Sequence, residues 1–209
     1  MNWTLSQLFG RRPLQVPQLC AACLRTFAPI DAATACPGCG RQASPKLCFD
    51  CQRWQQQGPL LHHQGVFAYN AAMKAFIQRY KGLGDWRLHR AFQAQLIPSK
   101  RGVFVPLTSE PKHFASRGFD PVLGLFAHLP LRLWLQKADT PTPQAKKDRT
   151  GRLATPQSFT VRAGVVFGQA KRVILVDDLY TTGRTFYHAA AALQAAGFQG
   201  EITSFSLIR

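Results

Sequence analysis

Acidic side chains are scarce in this chain. Asp and Glu account for 10 of 209 residues against 26 Lys and Arg, a net charge of +16. An excess of that size argues for a polyanionic partner, with nucleic acid ahead of a merely solubilising surface. The middle is the most basic part. Residues 1–60 carry 6 basic and 2 acidic side chains, residues 61–150 carry 14 and 5, and residues 151–209 carry 6 and 3. No apolar run approaches the ~20 residues of a membrane span. The opening MNWTLSQLFGRRPLQ lacks the apolar core and small-residue cleavage site of a signal peptide. The expected location is cytoplasmic, where cysteines are more readily metal ligands than disulfides. The common nucleotide loops are missing as well: there is no G-x-x-x-x-G-K-[ST], and no G-x-G-x-x-G after a strand.

What is present centres on Lys171 to Thr185, KRVILVDDLYTTGRT. Val173-Ile-Leu-Val176 is apolar and mostly β-branched, which suits a strand buried on both faces, as in a parallel sheet. Asp177-Asp178 end the run. Thr181-Thr182-Gly183-Arg184-Thr185 follow, then an Ala-rich helical segment to Ala196, stopped by Gly197. Ligands of open α/β sheets bind at the carboxyl ends of the strands. A helix N-terminus presents unpaired N–H groups and the positive end of a dipole, which suits a phosphate. Gly183 lets the backbone approach closely, and Thr181, Thr182 and Thr185 add hydroxyls. Two carboxylates beside a phosphate would repel it unless they face a ribose diol or a magnesium ion bound through the ligand. The expected ligand is a ribose 5-phosphate. The alternative is a strand, an acidic turn and a threonine cap that bind nothing.

All cysteines fall in residues 20–51, as three C-x-x-C pairs: Cys20/Cys23, Cys36/Cys39 and Cys48/Cys51. Two residues between thiols let one tight turn aim both at a single ion, and two such pairs make a tetrahedral thiolate site suited to zinc. So small a segment has too few apolar residues to fold unaided, so metal binding would supply much of its folding energy. A thioredoxin-like role for one pair is the rival, disfavoured by three pairs lying together without a strand–helix setting. Which four cysteines ligate is open at this stage.

Elsewhere, residues 62–70 and Val103–Val105 read as strands, and Glu201–Ile208 as a terminal strand. Residues 71–97 read as two helices broken at Gly82-Leu-Gly84, with Met73, Phe76, Ile77 and Tyr80 in the core, joined by Trp86, Leu88, Phe92 and Leu96. His62 and His63 point apart and are expected at the surface. Residues 121–135 read as a helix and a short apolar segment. Residues 136–152, QKADTPTPQAKKDRTGR, are polar and Pro-interrupted, either a disordered basic linker or a lid that orders around phosphate.

VILVDDLYTTGRT resembles the phosphoribosyl-pyrophosphate (PRPP) motif of type I phosphoribosyltransferases, and the chain as a whole is similar to the ComF family within that superfamily. The likeness extends to the cysteine pairs, to Tyr80-Lys81-Gly82 and Gly84-Asp85, to Arg117-Gly118-Phe119, and to the Lys147-x-Arg149-x-x-Arg152 spacing. It implies an α/β fold with a mainly parallel sheet over residues 61–209 and a small zinc ribbon within residues 1–60. It assigns the ribose hydroxyls, and a catalytic role, to Asp177 and Asp178. The phosphates fall to Thr181, Thr182, Gly183, Arg184, Thr185, Lys112, Arg117 and Arg149, and Zn²⁺ and Mg²⁺ with PRPP become the cofactors. Lys81 lies in the family's Lys-x-x-Gly-Asp region. Three features depart from the family pattern: Trp3 and Ser6 stand near the place where many relatives carry a further C-x-x-C, Thr108 takes the place of the second proline in Val-Pro-x-Pro, and Asp120 stands where Asn is usual. The implied function is assistance in natural transformation, with single-stranded DNA and a ComFA-like helicase as partners and PRPP or a related ribose phosphate as ligand. The alternative is an active phosphoribosyltransferase of nucleotide metabolism with unknown acceptor. Arg79-Tyr80-Lys81 and Asp85-Trp86-Arg87 interleave cations with aromatics in a way that suits a single strand.

Overall fold

The computed structural model describes residues 18–138 and 157–209. Its centre is a five-stranded sheet in the order β1-β2-β7-β6-β3. The strands are β1 (Ala28–Pro29), β2 (His63–Ala68), β3 (Val103–Pro106), β6 (Arg172–Leu179) and β7 (Glu201–Ile208). All neighbours run parallel except the short edge strand β1. A separate antiparallel pair, β4 (Leu135–Lys137) and β5 (Phe159–Val161), stands beside it. The fold is therefore α/β with a mainly parallel sheet, as expected.

The apolar run in β6 explains its central place. Successive side chains alternate faces, so Val173 and Leu175 enter one apolar cluster while Ile174 and Val176 enter the other. Both clusters are sealed by helices, and each of the four residues is at most 2% exposed. On the first face lies α6 (Arg184–Ala195), through Phe186, Ala189 and Leu193, together with Cys36, Cys39, Cys48 and Cys51 of the ribbon. The second face carries α3 (Ala71–Ile77) and α5 (Pro121–Leu125), through Met73, Phe76, Val122 and Leu125.

Three details differ from the sequence expectation. Residues 71–97 do hold two helical pieces, but neither continues as a regular α-helix. The first runs from α3 into a π-helical turn at Gln78–Gly82, and the second is a 3₁₀ segment at Trp86–Arg90. Three residues per turn eclipse side chains three apart, so Trp86 stacks on His89 at 4.1 Å and is 45% exposed instead of joining the core. Tyr80, by contrast, is fully buried and gives its hydroxyl proton to the Pro121 carbonyl, which removes it from any stacking role with bases. His63 is buried, not superficial. In the parallel register it meets Ser204, and its ring lies 3.0 Å from the hydroxyls of both Ser204 and Ser206. Burial, followed by the charge of Arg209, lowers its pKa well below the usual range, so it stays neutral.

Candidate functional site

A cleft of about 470 Å³ opens at the carboxyl ends of β3 and β6. Asp177, Asp178, Thr181 and Thr185 line one wall, and Lys81 and Arg117 another. The position is the one expected for an open α/β sheet. The two acids belong to the last part of β6, and Asp178 is 5% exposed. The Lys81 ammonium lies 2.5 Å from the Asp178 carboxylate, and Asp177 accepts the amide hydrogen of Asp178 at 2.8 Å. Burial, then the charge of Asp178, raises the pKa of Asp177 well above the usual carboxylate range. Asp178 is equally desolvated, but the nearby Lys81 ammonium outweighs that cost and lowers its pKa. Lys81 mirrors this: desolvation works against its charge, and the pull of Asp178 and Asp177 raises its pKa in spite of it.

The turn after β6 contributes more backbone than side chain. Thr182 is buried and does not reach the cleft wall, whereas Thr181 and Thr185 do. Gly183 has φ +83°, and a Cβ there would overlap the Tyr180 hydroxyl. Only glycine can pass that point without strain. Arg184, the first residue of α6, turns to a separate depression shared with Trp54, Leu60 and His188.

The cations sort unevenly. Arg117 ends α4 (Pro111–Arg117), and Gly118, with φ +81°, stops that helix. Its Nε donates to the Lys81 carbonyl at 3.0 Å, while Nη1 is buried with no partner among the described residues. A desolvated guanidinium N–H without an acceptor is a group waiting for an anion. Lys112 lies outside the cleft wall, 3.6 Å from Glu110 and 40% exposed at its side chain. Lys137 does line the cleft, 3.5 Å from the buried Glu110. Arg149 and its neighbours Lys146, Lys147 and Arg152 lie outside the described residues. Asp120 is a structural acid. It accepts from the amides of Val122 and Leu123 as the N-cap of α5, and from Ser109 at 2.6 Å, so both oxygens are occupied.

Across the sheet, Cys36, Cys39, Cys48 and Cys51 bring their sulfurs within 4.8 Å of one another, all buried. Cys48 and Cys51 are carried by α2 (Phe49–Gln55) and its N-cap. The sulfurs alternate at 3.7 Å (Cys36–Cys51) and 3.5 Å (Cys39–Cys48), a spacing suited to a tetrahedral ion. The Cys51 thiol and, next, the Arg209 guanidinium lower the pKa of Cys39, favouring the thiolate that zinc needs. Cys20, the N-cap of the short α1 (Ala21–Leu24), and Cys23 within it are exposed and stand apart, with no third ligand among the described residues.

Sequence reasoning missed Trp54, Arg209 and Glu110, and placed Lys137 in a basic loop, whereas it ends β4. Trp54 had a signal, since three residues after Cys51 it shares that cysteine's face of α2. Its indole N–H donates to the Thr182 carbonyl at 2.8 Å, and its ring stacks on Tyr187 at 3.9 Å. Nothing near Arg209 in the sequence marks it. Its guanidinium reaches the Cys39 carbonyl (3.0 Å), the Cys39 sulfur (2.7 Å) and the Thr181 carbonyl (3.0 Å), and lies over the Tyr180 ring.

No protein-family model matches the chain. It is 36% identical over 200 residues to the competence protein ComFC of Streptococcus pneumoniae, an alignment spanning 91% of this chain and 87% of that protein. It is 32% identical over 211 aligned positions to the competence protein ComFC of Bacillus subtilis, spanning 92% and 84%. Likeness of that depth over nine-tenths of the chain exceeds what a shared fold alone produces. The chain is a member of the ComFC family of competence proteins, within ComF.

Proposed function

We propose that this protein binds PRPP, or a related ribose phosphate, with magnesium, and assists the handling of incoming single-stranded DNA in natural transformation. The observation that carries the ligand reading is the cleft itself. Paired acids, a hydroxyl-bearing turn before a twelve-residue helix, and a buried guanidinium nitrogen without a partner among the described residues all meet one space. In this reading the Thr181–Thr185 turn holds the 5-phosphate with amides and hydroxyls. Asp177 and Asp178 take the ribose diol, Arg117 meets the pyrophosphate, and Lys81 exchanges Asp178 for the arriving anion. Its side chain is 33% exposed, which leaves it room to move. Magnesium, bound through the ligand, would neutralise pyrophosphate charge.

The DNA reading rests on the competence family and on the charge of +16. Trp86 is half-exposed and lines a surface depression with Arg79 and Arg87, whose largely exposed side chains both pair with Asp85, an aromatic beside cations that suits a stacked base. A ComFA-like helicase and a cytoplasmic location belong to the same proposal. A second reading, catalysis of phosphoribosyl transfer to an unknown acceptor, draws support from the same paired acids and Arg117 on the cleft wall.

Calorimetry with PRPP and magnesium tests the ligand reading. The protein should bind, and its Asp177→Asn/Asp178→Asn variant should not. Single-stranded DNA should bind both with an affinity that falls steeply with salt. A salt-independent DNA affinity refutes the electrostatic reading.

A further inference from the structure

Two donors from outside the turn grip consecutive carbonyls within it. Arg209 Nη1 donates to Thr181 O at 3.0 Å, and Trp54 Nε1 donates to Thr182 O at 2.8 Å. Both donors are tied to the four-cysteine centre. Trp54 lies on α2, one helical turn after Cys51, and Arg209 also donates to the Cys39 carbonyl and sulfur. Neither is free to drift, because Trp54 is 5% exposed and stacked on Tyr187, while Arg209 sits over the Tyr180 ring at 4.7 Å.

The geometry of the peptide unit turns this grip into a consequence for the ligand. In a trans peptide the carbonyl and the following N–H point in opposite directions. Holding Thr181 O toward the ribbon aims the N–H of Thr182 away from it, and holding Thr182 O does the same for Gly183. Neither amide donates to another backbone carbonyl among the described residues. Successive unpaired N–H groups aimed one way form a concave anion site, and a fixed one loses less entropy when it closes on a phosphate.

We propose that the four-cysteine ribbon is a positioning device for the phosphate turn, with Trp54 and Arg209 as its two positioning residues. The inference rests on the ribose-phosphate reading above. It gives the ribbon a role in ligand affinity distinct from any partner it contacts. It also explains why the cysteines pack into the same apolar cluster as Tyr180 and Phe186, which flank the turn.

The test uses the full chain in its zinc-loaded form and two probes, ribose 5-phosphate and inorganic pyrophosphate. Trp54→Phe keeps the ring and its stack while removing the N–H, and Arg209→Gln keeps a polar side chain without the guanidinium. Each should weaken ribose 5-phosphate about tenfold, the value of one hydrogen bond of ~1.4 kcal/mol. The double variant should lose about a hundredfold. Pyrophosphate affinity, which depends on Arg117, should hold within twofold, zinc content of Trp54→Phe should be unchanged, and the amide resonances of Thr182 and Gly183 should shift. Undiminished ribose 5-phosphate binding by both variants with zinc in place overturns the inference. So does a parallel loss for both probes, which marks general damage to the fold. No ribose 5-phosphate binding by the unsubstituted protein overturns the ligand reading first, and the inference with it.

Discussion

The two sides of the β6 turn are built to different standards. On the ribbon side the polar groups are matched: His63 between two serine hydroxyls, Trp54 on a carbonyl, Arg209 on four acceptors, and four thiols in one cluster. On the cleft side they are left short. Arg117 keeps a buried nitrogen without a partner among the described residues, and Asp177 is held where burial opposes its charge. The first arrangement stabilises the fold. The second costs stability and leaves capacity for a ligand, the usual trade at a binding site. Substitutions on one side should therefore read out in folding, and on the other in binding.

The largest effect belongs to the four-cysteine centre. Cys39→Ser should abolish zinc binding and lower unfolding free energy by several kcal/mol, because metal affinity of a structural site is folding energy. Metal content and a denaturant midpoint check it. Cys20→Ser and Cys23→Ser should leave both unchanged, which separates two identical C-x-x-C motifs by burial alone. Next comes the turn between the two sides. Gly183→Ala meets a left-handed backbone and the buried Tyr180 ring together, and should cost about 2–3 kcal/mol, measured by urea titration.

On the cleft side the sign reverses. Asp177→Asn removes a carboxylate that the fold prefers uncharged, so it should raise stability by about 1 kcal/mol while abolishing binding of PRPP with magnesium. A fall in melting temperature would break the comparison. The smallest effect is a pH dependence on the ribbon side. Burial, helped by Arg184 and Lys137, lowers the His188 pKa from 6.5 to about 4. The unfolded chain takes up that proton below pH ~6.5 and the fold does not, so stability present above this point is lost as pH falls toward 4. His188→Gln should flatten the melting-temperature profile in that window by on the order of 1 kcal/mol, discounted for partial exposure.

Much of the framework was legible because it depends on local pattern. The β-branched run of β6, the terminal strand, the strand before Pro106 and the pairing of cysteines that could hold a metal all follow from residue type and spacing. Telling which four cysteines could share one ion required the fold, since three identical motifs look alike until packing buries two of them. The same limit applies to the cations. Lys112 and Arg117 share one short helix and read as equals, yet one faces Glu110 at the rim and the other lines the cleft. Arg209 and Trp54 act over separations of 170 and 128 residues, which no periodicity encodes. Asp120 looked like an added charge near the ligand and serves as a helix cap, because a short acid before Pro121 meets two free amides there.

The π-helical turn at Gln78–Gly82 has a geometric meaning of its own. An α-helix advances roughly 100° per residue, and a wider turn holds one residue more than a regular one. That extra residue sets the angular phase at which Lys81 leaves the helix, and with it the approach to Asp178. A chain one residue shorter here would close into an ordinary helix and swing the lysine about a quarter-circle aside. Length, as much as residue identity, thus sets which charge faces Asp178.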